Sequence, residues 1–255
     1  ADDFKRFSGP PGPASSDQSG RAMGKNINTV IFDLDGTLIN SEPAALGATV
    51  EALSRFGVSA SDTEVREQFG GGSRKIMQYF LDRDLDPSEA DRVIDEATDL
   101  KVSLQVSFTD RVVLLPNAKK MLQELKDNGF RLALATMAAR DVVDKVTNHH
   151  GIDGFFDHIL TADDVVRVKP DPEVLTKTVE LFGGQINGFL YIGDSTHDLE
   201  AAVSLAMPFL LVDSGIFVRG ETRTQLRISA EEHGYPIVDR EGLLDICEIA
   251  KNHHF

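Results

Sequence analysis

The sequence predicts an α/β protein, in which a parallel β-sheet is flanked by helices and carries a small all-helical insert. Two observations lead to this fold class. Apolar strand-like runs alternate with amphipathic helical patterns over most of the chain, which is typical of a parallel sheet covered on both faces. Residues 43–107 interrupt that alternation and show helical periodicity alone.

The first predicted strand is Thr-Val-Ile-Phe at residues 29–32, a β-branched and aromatic run that ends in an acidic turn. Later strands are predicted at 131–136, 188–193 and 208–212. Helices are predicted between them, at 118–126, 141–149, 172–182 and 197–206. We therefore expect a Rossmann-like sheet, whose ligands bind at the carboxyl ends of the strands.

The helical insert shows apolar residues spaced three or four apart, as in Leu46, Val50 and Leu53. It begins just after the first strand and ends before Leu114. Because of that position, we expect it to lie over the carboxyl end of the first strand and to act as a lid.

The chain is predicted to divide into three parts. Residues 1–25 are rich in Gly, Pro and Ser and are expected to form a flexible tail, either native or preceding a natural start at Met23. Residues 26–40 and 114–255 would form the α/β core, and residues 41–113 the helical insert.

Composition limits the possible partners. The chain of 255 residues has a formal net charge of -15, which disfavours nucleic acid and anionic membranes because both require a basic surface. Cys247 is the only cysteine, so the chain has no disulfide of its own; we expect Cys247 to be a buried apolar side chain and the protein to be cytoplasmic. The oligomeric state is left open.

The first chemical motif is Asp33-Leu34-Asp35-Gly36-Thr37, directly after the first strand. An Asp-Gly turn capping the strand is the simplest interpretation. However, two carboxylates beyond an apolar strand repel each other unless a cation lies between them. Gly36 also lets the backbone turn closely around a ligand.

Three further motifs follow or precede predicted elements. Thr136 ends the second core strand and offers a hydroxyl to a phosphate oxygen, although a helix cap is the alternative. Lys169 is followed by Pro170 and Pro172, which taken alone is typical of an ordinary solvated loop. Asp194 and Asp198 follow the third core strand and are suited to hold a hard cation through oxygen ligands.

Together, these four motifs resemble those of the haloacid dehalogenase superfamily of phosphatases, in the right order over residues 28–213. The helical insert resembles the cap domain of the phosphoglycolate phosphatase and β-phosphoglucomutase-like branch. The resemblance implies an Mg²⁺-dependent hydrolysis of a small phosphorylated metabolite, such as phosphoglycolate or a sugar phosphate.

The resemblance also implies roles for individual residues. Asp33 would be the nucleophile that forms an aspartyl-phosphate, and Asp35 the acid and base. Thr136 and Lys169 would neutralise the transferring phosphoryl group.

The remaining implied roles concern the metal and the substrate. Mg²⁺ would be held by Asp33, by the backbone carbonyl of Asp35 and by Asp194, with Asp198 as a supporting or water-mediated ligand. Gly36, Thr37 and the backbone N–H of Met137 would contact the substrate.

Two features narrow the activity further. Asp35 favours phosphate esters, since dehalogenases and phosphonate-cleaving members lack it. Gly72-Ser73-Arg74 resembles a substrate loop of β-phosphoglucomutases, so Arg74 and Lys75 are candidate substrate contacts, with solvated cations as the equal alternative. Mutases carry a histidine at the position of Ala45, which favours a hydrolase; a sugar phosphomutase remains the alternative enzyme and a non-catalytic binding protein the alternative class.

Overall fold

The computed structural model describes residues 27–69 and 72–252. The predicted tail at residues 1–25 lies outside the described residues. Six strands form one parallel sheet in the order β5-β4-β1-β6-β7-β8. The strands of this sheet are β1 (Thr29–Phe32), β4 (Arg131–Ala135), β5 (His158–Leu160), β6 (Phe189–Gly193), β7 (Phe209–Asp213) and β8 (Ile237–Asp239).

Helices cover the sheet, so the predicted α/β class is confirmed. Those of the α/β part are α5 (Ala118–Asp127), α6 (Arg140–His150), α7 (Glu173–Leu181), α8 (Thr196–Ser204), α9 (Gly220–Glu232) and α10 (Asp245–Asn252). Alternate residues of β1 belong to different apolar clusters: Val30 and Phe32 pack in one and Ile31 in the other. This alternation follows from the two-residue period of a strand and places the central strand between two hydrophobic layers.

The insert is helical, as predicted. It consists of α1 (Glu42–Arg55), α2 (Asp62–Glu67), α3 (Gly72–Asp84) and α4 (Pro87–Ser107). These helices share an apolar cluster of their own, which includes Leu53, Phe80 and Ile94. The insert therefore has a core separate from the two clusters that cover the sheet.

A short antiparallel pair joins the two ends of the insert. Strands β2 (Ile39–Asn40) and β3 (Val113–Leu114) pair Ile39 with Leu114 and Asn40 with Val113. This pair was not predicted, because two residues are too few to show a strand pattern.

The edge strands β5 and β8 were also missed. Each has three residues and a partly exposed pattern, so neither carries the continuous apolar run of a central strand. Cys247 is buried in α10, as predicted. Within residues 27–69 and 72–252, no helix combines the length and apolar character needed to cross a membrane.

Candidate active site

The register of the sheet brings the predicted motifs to one edge. Phe32, the last residue of β1, pairs with Leu134 on β4 and with Ile192 on β6. The next residue, Asp33, donates its N–H to the Ile192 carbonyl at 2.8 Å. Asp33 therefore lies between the ends of β4 and β6, which are directly followed by Thr136 and Asp194.

Gly36 allows the turn after β1 to pass close to Asp194. Its φ is +80°, and a Cβ built on it would lie 2.0 Å from Asp194 Oδ2. Both the left-handed backbone and the missing side chain are thus required for this approach. Thr37, the next residue, is fully buried, and its hydroxyl has no hydrogen-bond partner within the described part of the chain.

Lys169 connects the first and fourth motifs. Its ammonium donates hydrogen bonds to Asp33 Oδ1 at 2.8 Å, to Asp198 Oδ1 at 2.7 Å and to the Tyr191 hydroxyl at 2.9 Å. Only 4% of the Lys169 side chain is exposed. The buried positive charge is therefore matched by carboxylates on both sides, as a buried ion pair requires.

The electrostatics of this group follow from burial and from these pairs. Burial raises the pKa of Asp33 to about 7, although Lys169 opposes the shift. Burial alone would lower the pKa of Lys169, but Asp198 and Asp33 raise it instead, so the lysine stays charged. Burial would likewise raise the pKa of Asp198, but the opposite effect of Lys169 is dominant, so the pKa of Asp198 is lowered.

Asp198 has a structural role besides its bond to Lys169. Its second carboxylate oxygen accepts hydrogen bonds from the Ser195 hydroxyl at 2.6 Å and the Ser195 N–H at 3.1 Å. Ser195 in turn caps α8 through its side chain, which accepts the N–H of Asp198. The reciprocal pair is a capping box that fixes Asp198 at the start of the helix.

The carboxylates at this edge fit a divalent cation. One oxygen from each of Asp33, Asp194 and Asp198 lies within 4.8 Å of the others. Asp194 Oδ2 is buried without a hydrogen-bond partner among the described residues, and burial with the nearby Asp198 and Asp33 raises its pKa well above the usual value. A cation would neutralise these charges and satisfy the unpaired oxygen with the ligand type that Mg²⁺ prefers.

Asp35 is held apart from that group. Its Oδ1 accepts a hydrogen bond from the hydroxyl of Ser41, which precedes α1. Burial raises the pKa of Asp35, while Ser41 and the more distant Lys101 and Lys169 act in the opposite direction. A raised pKa favours the protonated form of this carboxyl group, which is the form that a general acid needs.

A cavity of about 720 Å³ lies between the insert and the edge of the sheet. Its α/β side includes Asp33, Asp35, Thr136, Lys169 and Asp194. A volume of this size is typical of pockets for small organic ligands.

Lys101 on α4 is a lining residue that the sequence analysis missed. Its ammonium donates to Ser73 Oγ at 2.8 Å and to Gln105 Oε1 at 2.5 Å. Burial lowers the pKa of Lys101 to about 8, although the attraction of Asp35 opposes the shift. The available signal was spacing, because Lys101 and Gln105 continue the buried face of Ala97 at four-residue intervals.

The predicted substrate contacts Arg74 and Lys75 lie at the start of α3. Both side chains are exposed, and neither residue is among those that line the cavity. Arg74 pairs with Asp95 across the surface of the insert. Ser73 and Ile76, on either side of them, do line the cavity, so a contact of Arg74 or Lys75 with the substrate stays a prediction.

Of the other predicted site residues, Thr136 and Met137 line the cavity, whereas Gly36 and Thr37 are not among its lining residues. Ala45 and His197 line it as well. The Thr136 hydroxyl accepts the N–H of Ala138 at 3.2 Å, which leaves its proton available to an acceptor.

Comparison with known proteins gives one family. The family described as "Haloacid dehalogenase-like hydrolase" matches residues 30–212. Pyrophosphatase PpaX of Bacillus cereus (strain AH820) is 32% identical over 173 residues, which cover 68% of this chain and 77% of that protein. The same enzyme of Bacillus mycoides (strain KBAB4) is 31% identical over 173 residues, with the same coverage.

Solved structures agree with this result. CbbY from Rhodobacter sphaeroides in complex with phosphate has a TM-score of 0.68 at 25% identity, covering 76% of this chain and 89% of that one. A predicted phosphoglycolate phosphatase from Haemophilus somnus 129PT has a TM-score of 0.72 at 23% identity, covering 87% and 98%. At that identity the second likeness shows the fold alone.

Proposed function

Because the chain belongs to the haloacid dehalogenase-like hydrolase family and is a phosphatase acting on small phosphorylated substrates, we propose that it hydrolyses a phosphate monoester with Mg²⁺ through an aspartyl-phosphate on Asp33. The resemblance read from its motifs is thereby confirmed at the level of the family. The roles of the individual residues are our proposal.

In the first step, a carboxylate oxygen of Asp33 attacks phosphorus, and the bond from phosphorus to the ester oxygen breaks. Lys169 orients Asp33 through the 2.8 Å hydrogen bond and places its positive charge near the phosphoryl oxygens, to which the Thr136 hydroxyl offers a donor. The negative charge of the transition state is largest on those oxygens, so fixed donors there lower the barrier.

Asp35 moves the protons. It donates a proton to the leaving ester oxygen and then takes one from the water that attacks the aspartyl-phosphate, which releases inorganic phosphate and restores Asp33. The raised pKa of Asp35 supports the first role, and its hydrogen bond from Ser41 keeps it oriented for both.

Asp33, Asp194 and the backbone carbonyl of Asp35 would hold Mg²⁺. Asp198, which accepts a hydrogen bond from Lys169, would be a supporting or water-mediated ligand. The cation would supply positive charge at the phosphoryl oxygens. It would also keep Asp33 ionised near neutral pH, because the pKa of about 7 would otherwise leave that carboxyl group partly protonated.

For the substrate, a phosphoglycolate-like or sugar phosphate ester agrees with a cavity of about 720 Å³, which is larger than a phosphate group needs. The relatives named pyrophosphatase make pyrophosphate a third candidate. A β-phosphoglucomutase-like activity is the alternative, but Ala45 lines the cavity at the position where the mutases it resembles carry a histidine.

We also propose that residues 41–113 form a cap domain over a core made of residues 26–40 and 114–255. The β2–β3 pair lies at this boundary, and the separate apolar cluster of the insert supports the division.

The observation that carries the proposal is that the two carboxylates beyond β1 have different surroundings. Asp33 accepts a hydrogen bond from Lys169, and Asp35 accepts one from Ser41. Phosphate release from a panel of phosphorylated metabolites with Mg²⁺ tests it. We expect Asp33→Asn to lose at least about 10³-fold in kcat. Asp35→Asn should still bind phosphate analogues but turn over poorly.

Asp91→Asn, which removes an exposed carboxylate of α4, is the matched control and should behave as wild type. Wild-type activity in Asp33→Asn would sink the proposed chemistry. Bisphosphate-activated isomerisation without net phosphate release would instead favour the mutase.

A further inference from the structure

Two arginines from different parts of the chain share one buried carboxylate beside the cavity. Glu42, at the start of α1, is contacted through Oε1 by Arg66 Nε on α2. Its Oε2 accepts a hydrogen bond from Arg219 Nη2 at 2.6 Å. Arg219 precedes α9 in the α/β part, so the carboxylate connects the insert to the α/β part.

Both guanidinium side chains face the same cavity as Asp33 and Lys169. Arg66 and Arg219 line it, whereas Glu42 does not. The carboxylate therefore lies behind the arginines and orients them, while their other faces border the space where a ligand would lie.

Both arginines keep N–H donors that Glu42 does not use. Arg219 Nε donates to the Gly215 carbonyl at 3.3 Å, and Arg66 Nη2 lies 3.9 Å from Asp62 Oδ2. Within residues 27–69 and 72–252, neither Nη1 is hydrogen-bonded to an acceptor. A guanidinium has five N–H donors in a planar fork, so each arginine can bind Glu42 and a second anion together.

Glu42 is a buried carboxylate that both guanidiniums contact. The other acidic groups near them are Asp62, an exposed side chain 3.9 Å from Arg66, and Glu67, which lines the same cavity. The N–H groups that Glu42 does not use can bind an anionic group of a ligand, because the guanidinium geometry matches a carboxylate or a phosphate.

An aromatic contact holds the same two segments together. The rings of Phe69, after α2, and Phe217, after β7, meet edge to face with centroids 5.1 Å apart, and both line the cavity. This contact helps to place Arg66 and Arg219 before a ligand arrives, which lowers the entropic cost of binding.

We propose that Arg66 and Arg219 bind a second anionic group of the substrate, a carboxylate or a second phosphate, while the reacting phosphate lies at Asp33. The inference rests on the proposed function, because it assumes that the reacting phosphate enters at Asp33. The substrate would then be a phosphate ester with an anionic tail, and residues of both the insert and the α/β part would bind that tail.

The test uses matched pairs of phosphate esters that differ in the tail. The carboxylate pair is 3-phosphoglycerate and glycerol 3-phosphate, and the phosphate pair is fructose 1,6-bisphosphate and fructose 6-phosphate. We expect kcat/KM to favour the anionic-tail ester by about tenfold or more in at least one pair, as for a charge-assisted bidentate contact. A preference confined to one pair identifies the tail as carboxylate or phosphate.

The variants Arg66→Gln and Arg219→Gln should each lower that preference at least about threefold. Arg55→Gln is the control, since Arg55 is an exposed arginine of the insert that pairs with Glu51 in its own helix; it should keep the wild-type ratio. No preference in either wild-type pair, or a preference unchanged in both cavity variants, would overturn the inference.

Calorimetric binding of the same esters to Asp33→Asn separates this inference from the proposed function. Suppose that the wild-type protein does not hydrolyse the esters, but that Asp33→Asn still binds the anionic-tail esters more tightly through Arg66 and Arg219. The hydrolytic proposal then fails and the subsite stands. If hydrolysis is normal but tail charge affects neither binding nor kcat/KM, the subsite alone is wrong.

Discussion

Lys169 Nζ lies 2.8 Å from Asp33 Oδ1, although 136 positions separate the two residues in the chain. The contact joins the loop before α7 to the end of the central strand. Because Lys169 also bonds Asp198 at 2.7 Å, one ammonium compensates two buried carboxylates. The same ion pairs thus serve both the stability of the sheet edge and the proposed chemistry.

Lys169→Met is expected to destabilise the protein by about 3–5 kcal/mol at pH 8, because it leaves buried carboxylates without a partner. The pKa of Asp33 is raised from 3.8 to about 7 in the folded protein. A raised folded pKa contributes stability below the unfolded value that is lost as pH rises through the folded one. Without Lys169 to oppose this shift, we expect the difference from wild type to grow between pH 4 and pH 8.

Urea unfolding with a chelator present measures this effect. Lys120→Met, which removes an exposed lysine that lies 3.8 Å from Glu124, is the control and should unfold like wild type at both pH values. Equal destabilisation by the two variants would contradict the role given to Lys169.

Mg²⁺ is expected to raise the thermal midpoint of the protein, since a ligand that binds only the folded state stabilises it by about 2.7 kcal/mol at 100 times its Kd. Asp194→Asn should weaken this stabilisation, because Asp194 Oδ2 is a buried carboxylate oxygen that has no hydrogen-bond partner among residues 27–69 and 72–252. Differential scanning calorimetry over a Mg²⁺ titration measures both. A midpoint that does not move with Mg²⁺ in wild type would exclude the proposed metal site.

Gly36→Ala and Gly57→Ala form a matched pair for the turn after β1. Both glycines have left-handed backbones, with φ of +80° and +74°, so each alanine should cost about 1–2 kcal/mol of stability. Only at Gly36 would the added Cβ meet Asp194 Oδ2, at 2.0 Å, whereas at Gly57 no atom lies within 4 Å.

We therefore expect Gly36→Ala to lose Mg²⁺ affinity and phosphatase activity and Gly57→Ala to keep both. Isothermal titration with Mg²⁺ and a phosphate-release assay on the two variants decide the matter. Equal activity in the pair would show that the approach of Gly36 to Asp194 is unimportant.

Lys101 is expected to make substrate binding sensitive to alkaline pH. Its pKa of about 8 means that the ammonium loses its proton as pH rises through that value, so KM should rise between pH 7 and pH 9.5. Lys101→Gln removes the charge throughout, and its KM should already be about tenfold higher at pH 7.

The variant should then show a flat KM over the same range, and Lys101→Arg should remove the alkaline rise because a guanidinium stays charged. Steady-state kinetics from pH 6.5 to 9.5 provide the comparison. A wild-type KM that is constant with pH would mean that Lys101 does not meet the substrate.

Much of the fold could be predicted because the central strands leave strong local patterns. The β1 run Thr29–Phe32 is fully buried, and its predicted bounds agree with the structure. The short strands could not be predicted, because they leave no such pattern. β2 and β3 have two residues each and depend on pairing with each other.

The candidate site divides in a similar way. Asp33, Asp35, Asp194 and Lys169 could be named from the sequence because each lies in a short motif at the end of an element, and parallel strands bring such ends together. Ser41 and Lys101 could not be assigned, because their contacts with Asp35 and Ser73 depend on how the insert packs. Arg74 was predicted to contact the substrate from its motif, and its surface pair with Asp95 could not be predicted, because it depends on how α3 packs against α4.

The parallel α/β class, the helical insert and the carboxylates around Lys169 could thus be predicted from the sequence, since they follow from hydrophobic periodicity and from the order of local motifs. The side chains that face those carboxylates across the cavity depend on long-range packing. The contact between Glu42 and Arg219 spans 177 positions, and no local pattern encodes a meeting of that range. It forms because the β2–β3 pair and the packing of the insert place α1 against the loop before α9.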